Sequence, residues 1–471
     1  MRKCYIFLLV GLWLQAESKT WFVGPLSNFK VPSAVASLVN DGDSVWIEAG
    51  EYTKDVCLWK ANNLFISGNG GYAKLNAERT AYGGKAIWVI SGNNMRVEFI
   101  EFSNCEVVDR NGAGIRLEGK NLVVRHCYFH HNQNGILAGN NPESDVLIEH
   151  SEFSTNGAGD GFSHNIYINH LRSLTIRYSY FHHAYYGHEI KTRADRNVIL
   201  YNRITNEEGD ASYEIDIPNG GPSLVMGNVI QQSKFSDNNT IISYGREGLT
   251  NTGPHNFYFI HNTVVNNEDK GILFNIQSKT DTLLSINNII SGKLTILSGI
   301  PNTTIQSNNV VRMNIVDMAF KDPANYNYYL TSISPGIDSG IIINNAFLGY
   351  ELMADKEYLH PVDWKSRYND QIPDVGAHEN QQITKSRDEK TNKRSFVWFY
   401  DAFTEQLYLN AKESGPVETS VNLLDLHGNL RSQQQFNGEL TISLNGMPVG
   451  IYLLSILQNN KVITQKFVKS N

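Results

Sequence analysis

Three short segments of this 471-residue chain carry the side chains best suited to move a proton beside an anionic substrate. Asn165, Tyr167 and Asn169 alternate in the first, Glu189, Lys191 and Arg193 in the second, and Glu214 and Asp216 in the third. Between them fall Ile166/Ile168, Ile190/Thr192 and Ile215/Ile217. A period of two is that of a strand with one buried face, so the polar set is expected on the outer face. Such a set suits abstraction of the C5 proton of a uronate polysaccharide, leading to β-elimination in a lyase or to inversion at C5 in a related epimerase. Arg193 would pair with the substrate carboxylate, and Lys191 would take the C5 proton, a neighbouring cation favouring its neutral form. His188, two residues before Ile190, is an alternative base, and His164 occupies the equivalent place before Ile166. Asn165, Tyr167, Asn169 and His164 would contact the substrate. Glu189, Glu214 and Asp216 offer the oxygen ligands that Ca²⁺ takes, and a bound Ca²⁺ would also neutralise the carboxylate.

The same residues admit two other readings. Carboxylates on adjacent strands are about 5 Å apart, so Glu189, Glu214 and Asp216 could serve a glycoside hydrolase, although flanking cations disfavour a protonated acid. A polar strand face can also bind a glycan without changing it, or simply be solvated.

A repeat must position these segments. Asn94–Phe102, Asn121–Phe129, Asp145–Phe153 and Ser173–Phe181 are versions of one phrase. Its anchors Val97, Val124, Ile148, Ile176 and Leu200 fall at intervals of 27, 24, 28 and 24 residues. That is the length of one coil of a β-solenoid, whose coils bury their apolar faces only by stacking. Asn and Gly punctuate the coils as turns, and helical periodicity is nearly absent. A sandwich or propeller would need hairpin turns at other spacings. The expectation is an all-β, right-handed parallel β-helix of roughly ten to twelve coils over residues 19–380, since parallel crossovers are almost always right-handed.

The ends differ from the body. Arg2 and Lys3, an apolar run from Cys4 to Leu14, and Ala16-Glu17-Ser18 read as a signal peptide over residues 1–18. No apolar stretch is long enough to span a bilayer. The net charge of −7 argues against nucleic acid as a partner, so any polyanion needs a local basic patch. With Cys4 removed, Cys57, Cys105 and Cys127 cannot build a disulfide framework and read as buried thiols. Residues 385–395 form a charged linker, and residues 396–471 a second, small β-sandwich domain.

Two resemblances follow from quoted phrases. Val35–Leu38 as a capping helix, Asp41-Gly42-Asp43-Ser44-Val45 and Ala49-Gly50-Glu51-Tyr52 resemble the opening of pectate-lyase-like β-helix proteins. Ser334–Gly340 and Asp374–Glu379 resemble their far end. This implies the fold over residues 19–384 and is nearly silent on activity; the expected partner, read from the polar set, is a polysaccharide, most simply an anionic one, met by a monomer. The resemblance carries over no site residue. Pro448-Val449-Gly450-Ile451-Tyr452-Leu453-Leu454 with the basic close Lys466-Phe467-Val468-Lys469 is similar to the C-terminal sorting domain of type IX secretion in Bacteroidota, although an Asn-Pro usual near its start is missing. It implies the type IX machinery as a partner and a secreted or cell-surface location.

Overall fold

The structure is a computed structural model that describes residues 18–367 and 372–380, and beyond them 396–401, 406–411, 419–425, 429–436, 439–448, 450–458 and 461–469. The expected signal (apart from Ser18) and the linker 385–395 lie outside the described residues. The chain divides into two compact units at Gln382/Ile383.

The first unit is a parallel β-helix. Each coil contributes strands to three columns. Two columns merge into one 21-stranded sheet through the long strands Ser44–Thr53 and Phe65–Asn76, and the third is a separate ten-stranded sheet. That third sheet runs from Cys57–Trp59 to Thr295–Ser298. Its ten strands match the expected number of coils, but the coils end at Arg312, well short of residue 380. The described residues of 313–380 instead form short antiparallel hairpins, within Phe320–Leu330, Ala346–Glu351 and Lys356–Ser366, and pack against the outside of the first two columns.

The repeated phrase is legible in this geometry. Its apolar residues enter the first column, and a bend then sends the following Phe into the second. The bend residue has positive φ in coil after coil: Phe99, His126, His150, Tyr178 and Tyr201. Inside, Phe102, Phe129, Phe153 and Phe181 stack with centroids 4.7 Å apart. One step past the bend, Asn202, Asn228, Asn262 and Asn288 form a buried amide ladder, in which the Oδ1 of Asn228, Asn262 and Asn288 each accepts from the Asn of the preceding coil and that of Asn202 from the Ser179 amide. These amides satisfy turn backbone groups that no strand partner reaches. Cys57, Cys105 and Cys127 are buried free thiols. A short helix, Ser33–Ala36, packs at the N-terminal end, where the capping helix was expected.

The second unit has a three-stranded and a four-stranded antiparallel sheet around Leu407, Leu409, Val421, Leu423, Tyr452 and Leu454. Tyr452 of the Gly-Ile-Tyr phrase donates to the carbonyl of Pro448 at 2.7 Å.

Candidate functional site on the third sheet

Strands Ile166–Ile168, Ile190–Thr192 and Ile215–Ile217 lie side by side in the third sheet, with Ile166, Ile190 and Ile215 in register and fully buried. Their middle residues stand on the outer face as one column, Tyr167, Lys191, Asp216 and then Ser243 of the following coil. Here the expected alternation holds.

It fails one residue earlier. Asn165, Glu189 and Glu214, expected on the outer face, are 0% exposed and belong to the interior. These strands are only three residues long, and the residue before each lies in the bend from the second column. Its side chain turns in toward the Phe stack: a Cβ added at Gly135, the equivalent position one coil earlier, would meet the Phe153 ring at 2.9 Å. Asn165 accepts from Asn156 at 2.8 Å and donates to the His182 carbonyl and to Glu189. Glu189 also accepts from the Ala184 amide at 3.0 Å. Burial pushes the Glu189 carboxyl up to about 8. Burial, then the charge of Glu189, drives Glu214 well above the usual carboxylate range. Among the described residues neither oxygen of Glu214 has a hydrogen-bond partner.

The expected calcium set therefore does not assemble. Glu189 and Glu214 lie inside the sheet and Asp216 outside it. Among the described residues no group of three or more His, Cys, Asp or Glu side chains comes together as a metal site.

The two histidines brace the column. The ring of His188 stacks between His164, at 4.5 Å, and Tyr213, at 4.6 Å. His164 Nδ1 accepts the His188 amide at 2.9 Å, and His188 Nδ1 accepts the Tyr213 amide at 3.3 Å. Burial and then Lys191 lower His164 to about 3, and burial and then His164 take His188 well below its usual value. Both are neutral, with the proton on Nε2; that of His188 faces Asp216 Oδ2 at 3.7 Å. A ring so arranged offers no free lone pair to a substrate, which removes His188 as the base. Asn169 accepts its neighbour's amide, from His170 at 2.8 Å, and caps its own turn.

Four charged groups remain at the surface. Lys191 Nζ is 3.2 Å from Asp216 Oδ2 and 3.6 Å from Oε1 of Glu247. Arg193 Nη2 lies 2.8 Å from Glu247 Oε2, its Nε donates to Tyr167 Oη at 2.9 Å, and its Nη1 to Asn219 Oδ1 at 2.6 Å. Lys191 thus meets two carboxylates instead of an unpaired cation. Burial raises Asp216, with Lys191 opposing the shift. Burial also works against the charge on Glu247, but the bonds from Arg193 and Lys191 outweigh it and hold that carboxyl low. Lys191 and Arg193 are 14% and 20% exposed and Glu247 49%. The cations are therefore set into the face and the carboxylate is the solvent-facing partner. Glu247 and Asn219 were not among the expected site residues. Asn219 was visible only as a turn residue, and Glu247 belongs to a loop outside the repeat.

Residues 52–230 match the family model for the right handed beta helix region, and residues 403–470 that for the secretion system C-terminal sorting domain. The body is thus a right-handed parallel β-helix, and the tail marks a secreted or cell-surface protein served by the type IX machinery. No curated protein matches the sequence. Among solved structures, pectate lyase Pel9A is 13% identical with a TM-score of 0.53, over 77% of this chain and 97% of that one. The enzymatically active domain of Bacteriophage CBA120 tailspike protein 2 is 10% identical with a TM-score of 0.33, over 93% and 73%. The Pel9A likeness bears on the fold alone. No helix among the described residues is long and apolar enough to cross a membrane.

Proposed function

We propose that this secreted β-helix protein binds a uronate-containing polysaccharide on the outer face of its third sheet and cleaves it by β-elimination. One observation carries the reading: a single exposed carboxylate, that of Glu247, straddles Arg193 and Lys191. A uronate carboxylate entering from solvent can take the same seat, because both cations are held from behind by Tyr167, Asn219 and Asp216. Pairing with Arg193 withdraws charge from the carboxylate and acidifies the proton at C5. Lys191 then acts at C5 after passing its own proton to Asp216, whose buried carboxyl is already displaced toward the neutral form. The C5–H electrons form the C4–C5 double bond, the C4–O bond breaks, and the leaving oxygen takes a proton from water. Tyr167, with its ring centroid 5.9 Å from Lys191 Nζ and 5.8 Å from the Arg193 guanidinium carbon, gives a sugar a flat neighbour.

A second reading, glycan binding without cleavage, is favoured by the two carboxylates around Lys191, which tie its ammonium into an ion-pair network at 3.2 and 3.6 Å. Incubating the protein with a panel of uronate polysaccharides separates the readings. Ultraviolet absorbance from an unsaturated uronate product supports elimination. Retarded migration in glycan-containing gels without that product supports binding alone, and new reducing ends without the chromophore would mean hydrolysis.

A further inference from the structure

A second place on the body has the makings of a ligand site. The outer faces of strands Tyr180–His182, Arg203–Thr205 and Val229–Gln232, in the second column, are roofed by two cap hairpins. Between wall and roof lies a cavity of about 420 Å³, inside the range of about 300–1,000 Å³ usual for small-molecule sites. Tyr180, Tyr326, Tyr328, Tyr329, Tyr358 and Arg203 dominate its lining. Tyr328 and Tyr358 are buried, while Tyr326 and Tyr329 are half-buried and His360 is exposed, so the cavity has a floor and a reachable rim.

Its charges cancel. Arg203 Nη2 donates to Glu207 Oε1 at 3.1 Å, and Tyr180 Oη donates to the same oxygen at 2.7 Å. An anionic sugar gains nothing from a guanidinium already paired in this way. Its hydrogen bonding, by contrast, is incomplete. Among the described residues Tyr328 Oη and Arg203 Nε have no partner, but neither has surface that a water-sized group reaches, so a ligand in the cavity would meet the tyrosine rings and their accessible hydroxyls instead. Tyrosine faces accept the apolar C–H face of a sugar, and tyrosine hydroxyls match its hydroxyls.

We propose that this cavity binds a neutral sugar ring, as a site separate from the third-sheet column and independent of the reaction there. Two binding sites on different strand columns would let one protein hold a polysaccharide that mixes uronate and neutral residues.

The test uses the full chain and saturation-transfer NMR with methyl glycosides of glucose, galactose, mannose, rhamnose and arabinose, with galacturonate oligomers as competitor. At least one neutral glycoside is expected to bind, undisturbed by the competitor and equally well to Lys191→Ala. Tyr329→Ala and Tyr326→Ala should each weaken it about tenfold, the effect of losing one aromatic contact. Should these variants fold poorly, nitration of the wild type gives the same answer, since bound glycoside should protect Tyr326 and Tyr329. Absence of transfer to every neutral glycoside overturns the proposal. So does binding that survives both substitutions, leaves both tyrosines unprotected or is displaced by galacturonate. Loss of uronate cleavage in Lys191→Ala with glycoside binding retained bears only on the third-sheet site.

Discussion

Glu247 and Arg193 belong to coils two steps apart, yet Glu247 Oε2 lies 2.8 Å from Arg193 Nη2. The loop bearing Glu247 reaches back because Asn251, four residues on, is anchored on the near side: its Nδ2 donates at 2.9 Å to the carbonyls of Ala194 and Gly220. The result is a carboxylate held over two cations and still open to solvent, where an anionic ligand must compete with it.

That competition gives the first prediction. Glu247→Ala should lower KM for a uronate oligosaccharide about two- to fivefold, since an exposed pair is worth up to about 1 kcal/mol and about 1.4 kcal/mol is tenfold. The change in kcat should be small, and the gain should shrink at high salt. Steady-state kinetics, or titration calorimetry if the protein only binds, reads the effect. A rise in KM would mean that Glu247 helps the ligand instead of occupying its seat.

Lys191 tests a different coupling. Among the described residues its ammonium is the only cation on Asp216, a side chain 5% exposed that otherwise meets Ser243 and His188. Lys191→Ala therefore strands a buried carboxylate and should cost about 2–4 kcal/mol in a urea melt at neutral pH. Pairing Lys191→Met with Asp216→Leu should recover most of that stability while turnover stays absent. Recovery of turnover in the double variant would exclude both residues from the chemistry.

How far the residues announced this arrangement depends on how local each feature is. The inward Ile166, Ile190 and Ile215 and the outward Tyr167, Lys191 and Asp216 follow from period two, which holds wherever the strand is real. Asn165, Glu189 and Glu214 extended that period one residue beyond strands only three residues long, into a bend where the side chain turns inward. Glu247 reaches Arg193 through a loop that spans two coils, and no periodic signal encodes such a reach. The tyrosines of the second cavity lie largely in the cap, outside the repeat, and meet only when the hairpins fold over the second column.

The amide ladder makes a stability prediction free of any functional reading. Asn228 Nδ2 donates to the Ile199 carbonyl at 2.9 Å and to Asn262 Oδ1 at 3.0 Å, while its Oδ1 accepts both the backbone and side-chain N–H of Asn202. Asn228→Ala leaves several of these buried groups unpaired and should cost about 2–3 kcal/mol in denaturant unfolding. Asn309→Ala, near the last coil and only partly buried, should cost less. Equal costs would mean that the ladder is not braced by its neighbours on both sides.

The buried carboxyls of Glu189 and Glu214 make stability depend on pH. In the unfolded chain Glu189 and Glu214 ionise near about 4.3. Folded, Glu189 is pushed up to about 8 and Glu214 well above its usual range, burial being the first cause of each. Below the unfolded value both are neutral in both states, and neither burdens the fold. As pH rises from there toward 8, the unfolded chain holds fewer protons than the folded one, so stability falls. Glu214→Leu removes one of these titrations and places an apolar side chain next to Ile241, buried at the equivalent position one coil on. The variant should melt close to wild type at the acid end. Its advantage should grow with pH to something on the order of 1–3 kcal/mol near neutrality and above. Thermal melts across that range decide the matter. An advantage that did not change with pH would be packing alone, and a loss at alkaline pH would mean that the Glu214 carboxylate is held by a partner inside the helix.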